Sequence, residues 1–353
     1  MHSVSDHRAR ERAAGFSLLE VLISGGILAT MVYAIGSLTV SGTDAQEFAR
    51  RLNRVTEITQ DLVDDIRLEL VSSVRLFGNN TEGNGNFAVF DFDAAPPVLP
   101  GTRLPTIDAN GTIQRDSSGD EITGNAMFFT KLAWSDRFRC VSGNEYLVDV
   151  YRWVTWYQTV EGDGPQAGNA VGLNLVRMVS EPLADAGAID RITDPDDQAE
   201  VLLHLLNGTA DVNGVTHAPL QVVWNRGALA NVVGTFRQID PASGELRDNP
   251  IALSGRSDPW EIERATDTVT GLLTYRHHSI GTNFARPTFG VSRFGLTQAP
   301  GVGTAGFPHG FETQVVGPSS ARQVLVHMVV VSTNRRGQVA WSDLQAVVDC
   351  RDL

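Results

Sequence analysis

The residue with the most unusual chemical setting in this sequence is Glu20, a carboxylate inside an apolar stretch. From Phe16 to Val40 the sequence is apolar, and Glu20 carries its only formal charge. A helix of that length is long enough to cross a bilayer. Since a bare carboxylate in hydrocarbon costs about 3 kcal/mol, we expect the chain to provide Glu20 with a partner.

No other group of residues forms a recognisable catalytic set. The sequence contains no G-x-S-x-G, P-loop or H-E-x-x-H pattern. His277 and His278 are adjacent in a predicted strand, so their side chains point to opposite faces and cannot share a metal. We therefore predict no catalytic residues, no metal site and no cofactor.

Two acidic stretches are interpreted as turns and caps. The spacing of acidic residues in Asp108–Thr123 does not match an EF-hand loop, which needs ligands at alternate positions and a closing glutamate. Asp194, Asp196 and Asp197 precede an apolar run, and this position favours capping of a helix N-terminus.

The two cysteines, Cys140 and Cys350, both follow the apolar segment. If that segment crosses a membrane, both lie on the same external side, where disulfides persist. Two interpretations are open, a disulfide between them or two buried thiols. The even number of cysteines in an exported domain favours the disulfide.

Composition limits the partners of the chain. The 353 residues carry a formal net charge of −13, and an acidic body repels phosphate backbones, so we expect no nucleic-acid partner. Lys131 is the only lysine, and we attach no function to that bias. The tryptophans are interpreted mainly as packing residues, with sugar or surface binding left open.

Three interpretations compete for the N-terminal segment. A secretory signal peptide needs a shorter apolar core and a small-x-small cleavage site. A plain signal anchor, with the Arg-bearing leader in the cytoplasm, explains the apolar length but neither Glu20 nor the sharp boundary between Gly15 and Phe16. The third interpretation explains both. The sequence "GFSLLE" resembles the leader of type IV pilins and type II secretion pseudopilins.

This resemblance implies a role for each residue of the motif. The leader, residues 1–15, would be cleaved between Gly15 and Phe16 by the prepilin peptidase, and Phe16 would then be N-methylated. Glu20 would be the fifth residue of the mature chain, where it would pair with the α-amino group of Phe16 on a neighbouring subunit. Opposite charges that are each costly in lipid are less costly together.

Apolar spacing predicts one long helix after the leader. Residues 16–40 form the transmembrane or filament-core half. Residues 41–78 form an amphipathic half, with apolar side chains at spacings of three, four or seven and a charged opposite face that includes Arg51. The sequence Gly78-Asn79-Asn80 is predicted to end the helix.

Residues 79–353 are predicted to form a globular α+β head. Glu145–Val160 and Gly172–Glu181 are predicted as a hairpin, and "VTWY" (154–157) with "LVR" (175–177) resembles the heads of PilW-type minor pilins and J-type minor pseudopilins. A short helix is expected at Gln198–Gly208 and a terminal antiparallel pair at Arg322–Asn334 and Gly337–Cys350. A loop-rich insertion is expected at about 226–320. The predicted fold is a long N-terminal helix packed on an antiparallel sheet.

The resemblance implies a non-enzymatic minor subunit of a type IV pilus or type II secretion pseudopilus. Its partners would be the prepilin peptidase, other pilins or pseudopilins, and the assembly platform with its ATPase. Before assembly it would span the inner membrane once, with the head outside the cytoplasm. Two alternatives remain open: a filament-tip adhesin, and a membrane-anchored enzyme whose leader matches by chance.

Overall fold

The structure is a computed structural model that describes residues 17–87, 101–113, 122–159, 166–167, 170–180, 182–220, 222–226, 236–240, 243–248, 264–266, 273–275, 293–297, 310–333 and 339–352. The chain divides into two compact units, Met1–Arg50 and Arg51–Leu353. The architecture is α+β, as predicted, with a long apolar N-terminal helix and a mixed sheet.

The helices are α1 (Leu18–Val71), α2 (Thr81–Phe87), α3 (Ala186–Ile189) and α4 (Pro195–Asn207). The strands are β1 (Ser73–Phe77), β2 (Ile107–Asp108), β3 (Met127–Arg139), β4 (Glu145–Thr159), β5 (Gln166–Ala167), β6 (Ala170–Val179), β7 (Leu183–Asp185), β8 (Val222–Trp224), β9 (Phe236–Ile239), β10 (Leu246–Asp248), β11 (Arg264–Thr266), β12 (Leu273–Tyr275), β13 (Arg293–Thr297), β14 (Phe311–Val316), β15 (Arg322–Thr333) and β16 (Val339–Cys350).

Most of the described strands belong to one sheet. Its main path runs β10-β9-β8-β7-β4-β6-β13-β15-β14-β2, with β3 between β4 and β1, and with β16 paired to β15. Pairing is antiparallel except for β7 with β8 and β14 with β2. Strands β4 and β6 form the predicted hairpin, and β15 and β16 form the predicted terminal pair.

Helix α1 begins in the first unit and ends in the second. By length and composition its N-terminal part can cross a membrane. In the second unit its buried residues recur at helical spacing, and they are Arg51, Val55, Thr59, Leu62, Val63, Ile66 and Leu70. Arg51, which the sequence analysis placed on the charged face, is only 3% exposed, so that assignment was wrong. Arg51 lies four residues before Val55, on the buried stripe.

The predicted C-terminal end of the helix, at residue 78, is also wrong. Helix α1 ends at Val71, and Ser72 caps the last turn, with both its N–H and its hydroxyl donating to the carbonyl oxygen of Glu69 at 3.1 and 2.8 Å. The next residues form β1, which pairs with β3. Leu76 and Phe77 pack on opposite faces of the sheet, as a period of two requires. Sheet pairing therefore overrides the helical spacing here.

The second unit has a helix-side core between α1 and the sheet. It contains residues from α1, β1, β3, β4, β6, β14, β15 and β16. On β4, Val154 and Trp156 face this core. Tyr151, Trp153 and Tyr157 face a far-side core on the opposite surface of the sheet, with Phe128 and Trp224. The side chains of β4 thus alternate between the two cores. Because both faces of the strand are covered, it lies centrally in the sheet.

Helices α3 and α4 cover a third cluster, the α4 core. Phe138 of β3 and Cys140, the residue that follows the strand, pack there with Val148 and Val150 of β4 and with apolar residues of α4, among others. The predicted capping role is confirmed, because the Asp194 carboxylate accepts hydrogen bonds from the N–H groups of Asp196 and Asp197 at 2.9 and 3.4 Å.

The predicted insertion at about 226–320 needs one correction. Most of it lies outside the described residues, but Phe311–Val316 is β14, which pairs with β15 over six positions. All six β14 residues are buried, so this segment belongs to the central sheet. Strand β15, apolar on both faces, is bordered by β16 on one edge and by β13 and β14 on the other.

Gly208 ends α4 in the left-handed conformation, with φ of 59°. A Cβ atom there would lie 2.6 Å from the carbonyl oxygen of His217. Gly214, with φ of 79°, is a matched control because a Cβ atom there meets nothing within 4 Å. We expect Gly214→Ala to lower the free energy of unfolding by about 1 kcal/mol and Gly208→Ala by about 1–3 kcal/mol more. Chemical denaturation of the two variants checks this, and equal losses would contradict the packing described around Gly208.

Candidate functional site

Glu20, the central residue of the sequence prediction, lies in the first turn of α1. Its carboxylate Oε2 accepts a hydrogen bond from the Ser17 N–H at 3.0 Å, and the Glu20 N–H donates to Ser17 Oγ at 3.2 Å. This reciprocal pair is a capping box, which satisfies two N–H groups at the helix start. The sequence analysis missed it, although Ser-x-x-Glu before an apolar run is its usual signature. Gly15 and Phe16 lie outside the described residues.

The helix that follows Glu20 has an exposed apolar surface. The large apolar side chains between Leu18 and Val40 are 54–81% exposed. A contiguous apolar surface of this kind marks contact with lipid or with another protein. Glu20 therefore lies at the start of a helix whose apolar surface is exposed, and in the described part of the chain its carboxylate is hydrogen-bonded to the Ser17 N–H.

A second carboxylate on the same helix, Glu69, has the opposite environment. Its side chain is 13% exposed and contacts three neighbouring strands. Lys131 Nζ of β3 donates to Oε1 at 2.7 Å, and Trp156 Nε1 of β4 donates to Oε2 at 3.1 Å. Arg177 of β6 donates from Nε to both oxygens at 3.1 Å and from Nη2 to Oε1. We call these four residues the Glu69 cluster.

The charges in the Glu69 cluster compensate for its burial. Burial works to raise the pKa of Glu69, but the hydrogen bonds and charge of Arg177, followed by those of Lys131, outweigh it and hold the pKa below 4.5. The carboxylate is thus ionised at neutral pH and paired with two cations. The arrangement has no group poised to transfer a proton. Its physical effect is to fix the end of α1 against β3, β4 and β6.

The sequence contained part of the Glu69 cluster. Trp156 and Arg177 belong to the "VTWY" and "LVR" segments that the sequence analysis singled out. Lys131 was interpreted as compositional bias, but in the structure it pairs with the partly buried Glu69. Glu69 itself was missed. The signal was available, because Glu69 lies three residues after Ile66 and seven after Leu62, on the buried stripe of the helix.

The favoured Cys140–Cys350 disulfide is a prediction that the structure contradicts. Both cysteines are free and buried. Cys140 lies in the α4 core and Cys350 in the helix-side core, so each thiol has a different set of neighbours. A disulfide requires Cβ atoms about 3.8 Å apart. The even number of cysteines in the sequence says nothing about the distance between them.

His327 of β15 lies between two acidic residues of the neighbouring strands. Its Nε2 is 2.6 Å from Asp343 Oδ1 of β16, and its Nδ1 is 3.8 Å from Glu312 Oε2 of β14. The residue is 2% exposed. Burial works to lower the pKa of His327, but its hydrogen bonds to Glu312 and Asp343 and their charges outweigh that effect and raise the pKa above 6.5.

Three of the tryptophans, which the sequence analysis left open for sugar binding, are buried. Trp153, Trp156 and Trp224 are at most 2% exposed and pack inside the helix-side and far-side cores. Trp341 of β16 is 44% exposed, while Trp260 lies outside the described residues. The three buried tryptophans thus serve packing.

Comparison of the chain with family models, with curated proteins and with solved structures finds no match in any of the three.

Replacing Glu69 with Gln should destabilise the second unit strongly. The substitution keeps the shape of the side chain but leaves the partly buried cations of Arg177 and Lys131 without their counter-charge. We expect the free energy of unfolding to fall by about 3 kcal/mol, measured by chemical denaturation of the full chain in detergent.

Glu57→Gln is the matched control for this prediction. Glu57 lies on the same helix and pairs with Arg54 at 3.2 Å, but the two side chains are 61% and 60% exposed. Its loss should cost at most about 0.5 kcal/mol. Equal effects of the two substitutions would show that the Glu69 cluster does not hold the helix to the sheet.

His327 should make stability depend on pH. Since its pKa is raised in the folded chain, the stabilisation is fully present below pH 6.5 and is lost as pH rises through the folded pKa. The difference in free energy of unfolding between the wild type and His327→Gln should therefore shrink with rising pH. Denaturation curves between about pH 5.5 and pH 9 measure this, and a difference that stays constant over that range would contradict the ion pairing of His327.

Proposed function

We propose that this chain is a subunit of a pilin-like filament, either a type IV pilus or a type II secretion pseudopilus, and that it acts by assembly rather than by catalysis. The observation that carries the proposal is the exposed apolar surface of α1 between Leu18 and Val40. A single carboxylate, Glu20, lies in the first turn of that helix. A membrane accommodates the apolar surface before assembly. Neighbouring copies of such helices accommodate it afterwards.

The proposal gives Glu20 two successive partners. In the isolated chain its carboxylate is held by the Ser17 N–H, a neutral donor. Removal of residues 1–15 would create a positively charged amine at Phe16, and the amine of a neighbouring subunit is a stronger partner in a medium of low dielectric constant. The exchange of a neutral donor for a cation would favour the assembled state and set the register between subunits.

The second unit supplies the head of the proposed subunit. Its sheet packs against the amphipathic part of α1, and the Glu69 cluster ties that part to three strands. The two sequence elements that resemble minor pilins and pseudopilins, "VTWY" and "LVR", contribute Trp156 and Arg177 to this single cluster. That convergence supports a pilin-like arrangement of helix and head, and the size of the head favours a minor subunit.

The proposed partners follow from this mechanism. A prepilin peptidase would remove the leader at Gly15, an inner-membrane platform with its ATPase would extract the helix, and other pilins or pseudopilins would receive it. The head would lie outside the cytoplasm. Purification of the native protein with its neighbours would distinguish a pilus from a secretion complex, because each setting supplies different companion subunits.

Two variants separate the proposed ion pair from simple helix capping. Glu20→Gln can keep the capping box, since Gln also serves at that position, but it removes the charge. Ser17→Ala removes the hydroxyl of the capping box but keeps the charge of Glu20. We expect Glu20→Gln to be processed normally but to fail to enter filaments, whereas Ser17→Ala enters them at close to the wild-type level.

Sheared filament fractions and membrane fractions, compared by immunoblot, measure this difference. Glu57→Gln, a change of an exposed acidic residue on the same helix, is the control for expression. If Ser17→Ala were excluded and Glu20→Gln incorporated, the role of Glu20 would be helix capping alone, and the ion pair would be wrong.

Leader processing should depend on the size of residue 15. Gly15→Ala should slow cleavage, and Gly15→Trp should abolish it, because the peptidase is expected to accept only a minimal side chain there. The ratio of precursor to mature chain on a gel measures processing. Unchanged cleavage of the Trp variant would indicate a different protease and would remove the basis for a mature N-terminus at Phe16.

A further inference from the structure

Strand β16 is a long edge strand of the central sheet. It pairs with β15 at twelve successive positions without a bulge, and in the described part of the chain no other strand pairs with it. Backbone groups of a strand alternate between its two edges, so about half of the N–H and C=O groups of β16 point away from β15. Such an edge is a template for pairing with another strand.

The usual features that block an edge strand are missing from β16. Proteins protect such edges with lysine, proline, a bulge or a charge that points into the core. The sequence of β16, VAWSDLQAVVDC, contains neither lysine nor proline. Its two acidic residues are both engaged by β15, because Asp343 contacts His327 Nε2 at 2.6 Å and Asp349 accepts from Gln323 Nε2 at 3.2 Å. The edge itself is therefore open to a partner strand.

The two faces of β16 carry different side chains. Leu344, Ala346 and Val348 pack against or within the helix-side core. The alternate residues lie on the opposite face, which we call the outer face of β16, and they are Trp341, Asp343, Gln345, Val347 and Asp349. Trp341 and Val347 are 44% and 49% exposed. These two exposed apolar residues are placed symmetrically about Leu344.

We propose that two copies of this chain associate by antiparallel pairing of their β16 strands about a twofold axis at Leu344. In this register Trp341 of one copy lies opposite Val347 of the other, and Asp343 lies opposite Gln345. The twofold axis makes each contact occur twice. Pairs of an aromatic and a β-branched residue across neighbouring strands stabilise antiparallel sheets.

The outer face favours this register over its neighbours. A centre at Asp343 places Asp343 opposite its own copy, and a centre at Ala346 places Asp343 opposite Asp349. A centre at Gln345 places Trp341 opposite Asp349. Like charges directly opposite each other are destabilising, and an acid opposite an exposed apolar residue gains nothing. With the axis at Leu344, no acidic residue of β16 lies opposite another, and the exposed apolar residues meet. This self-complementarity indicates a second copy of the chain as the partner.

The C-terminal end of β16 has room for the partner strand. Asp349, Cys350 and Arg351 line an open groove of about 710 Å³ together with residues 71–74 at the end of α1 and the start of β1. The start of the partner's β16 would lie at this groove. A twofold contact closes after two copies. The inference rests on the second unit alone and does not depend on the filament proposal.

Crosslinking of the full-length protein in detergent tests the register. Trp341→Cys and Val347→Cys proteins are prepared separately, mixed, and treated with a short bis-maleimide that links two thiols. We expect a several-fold higher yield of crosslinked dimer from the mixture than from either protein alone. Residues 341 and 347 of different copies would lie opposite each other, whereas two copies of one position would lie about 20 Å apart.

The wild type measures the background from the two native cysteines, which are buried. Equal yields from the mixture and from the separate proteins, or a higher yield from one protein alone, would overturn the proposed pairing.

A charge on the outer face should weaken the dimer. Val347→Asp places an acid opposite Trp341 at both contacts, so we expect association to fall roughly tenfold. Leu147→Asp is the matched control, because Leu147 of β4 is an apolar residue with 57% exposure outside β16. It should associate like the wild type.

Sedimentation of the full-length proteins in detergent over a range of concentrations measures association, and circular dichroism checks that each variant is folded. Equal association of Val347→Asp and Leu147→Asp would overturn the proposal. A wild-type chain that stays monomeric at every concentration would overturn it too, and would leave the edge to a strand of a different protein.

Discussion

The arrangement of the second unit depends on the ionised carboxylate of Glu69 and the donors that converge on it. Apolar contacts between α1 and the sheet are non-directional, so by themselves they hold the helix to the surface without fixing its rotation or its position along its axis. Hydrogen bonds from Lys131, Trp156 and Arg177 supply that direction. A largely desolvated ion pair adds little to net stability compared with apolar residues of equal size, but losing one partner is costly. The cluster thus fixes one docking of the helix against alternatives.

Helix α1 carries two carboxylates in contrasting environments, and the contrast informs the proposed function. Glu69 is surrounded by donors of its own chain and is satisfied in the folded monomer. Glu20 stands among exposed apolar side chains and has only the local donor of Ser17 among the hydrogen bonds described for it. An intramolecular ion pair fastens a head to a helix, whereas an acid with a replaceable neutral donor is suited to a partner from another molecule. In the proposed filament these two requirements coexist on one helix.

Local sequence patterns predicted the local elements of this fold. The pairing of β4 with β6, the antiparallel pair of β15 and β16, and the Asp194 cap of α4 follow from neighbouring residues, and the structure confirms them. Contacts between residues far apart in sequence were not predictable in this way. The end of α1 depends on pairing of β1 with β3. Cys140 and Cys350 are not bonded because they pack in different cores. Glu69 and Arg177, which form an ion pair, lie 108 positions apart in the sequence. The capping box of Ser17 and Glu20 is also local, but the sequence analysis considered only the charge of Glu20. It did not consider the backbone N–H of Ser17, from which the carboxylate accepts a hydrogen bond.

The proposed function requires that Glu20 pair with the freed amine of an adjacent subunit, and therefore that the leader be removed. The most direct test is the mass of the N-terminal peptide of the protein purified from its native membrane or filament. The account predicts a chain that begins at Phe16 and carries one added methyl group on its α-amine. A fully functional protein that still carries residues 1–15 would have no such amine and would contradict the account.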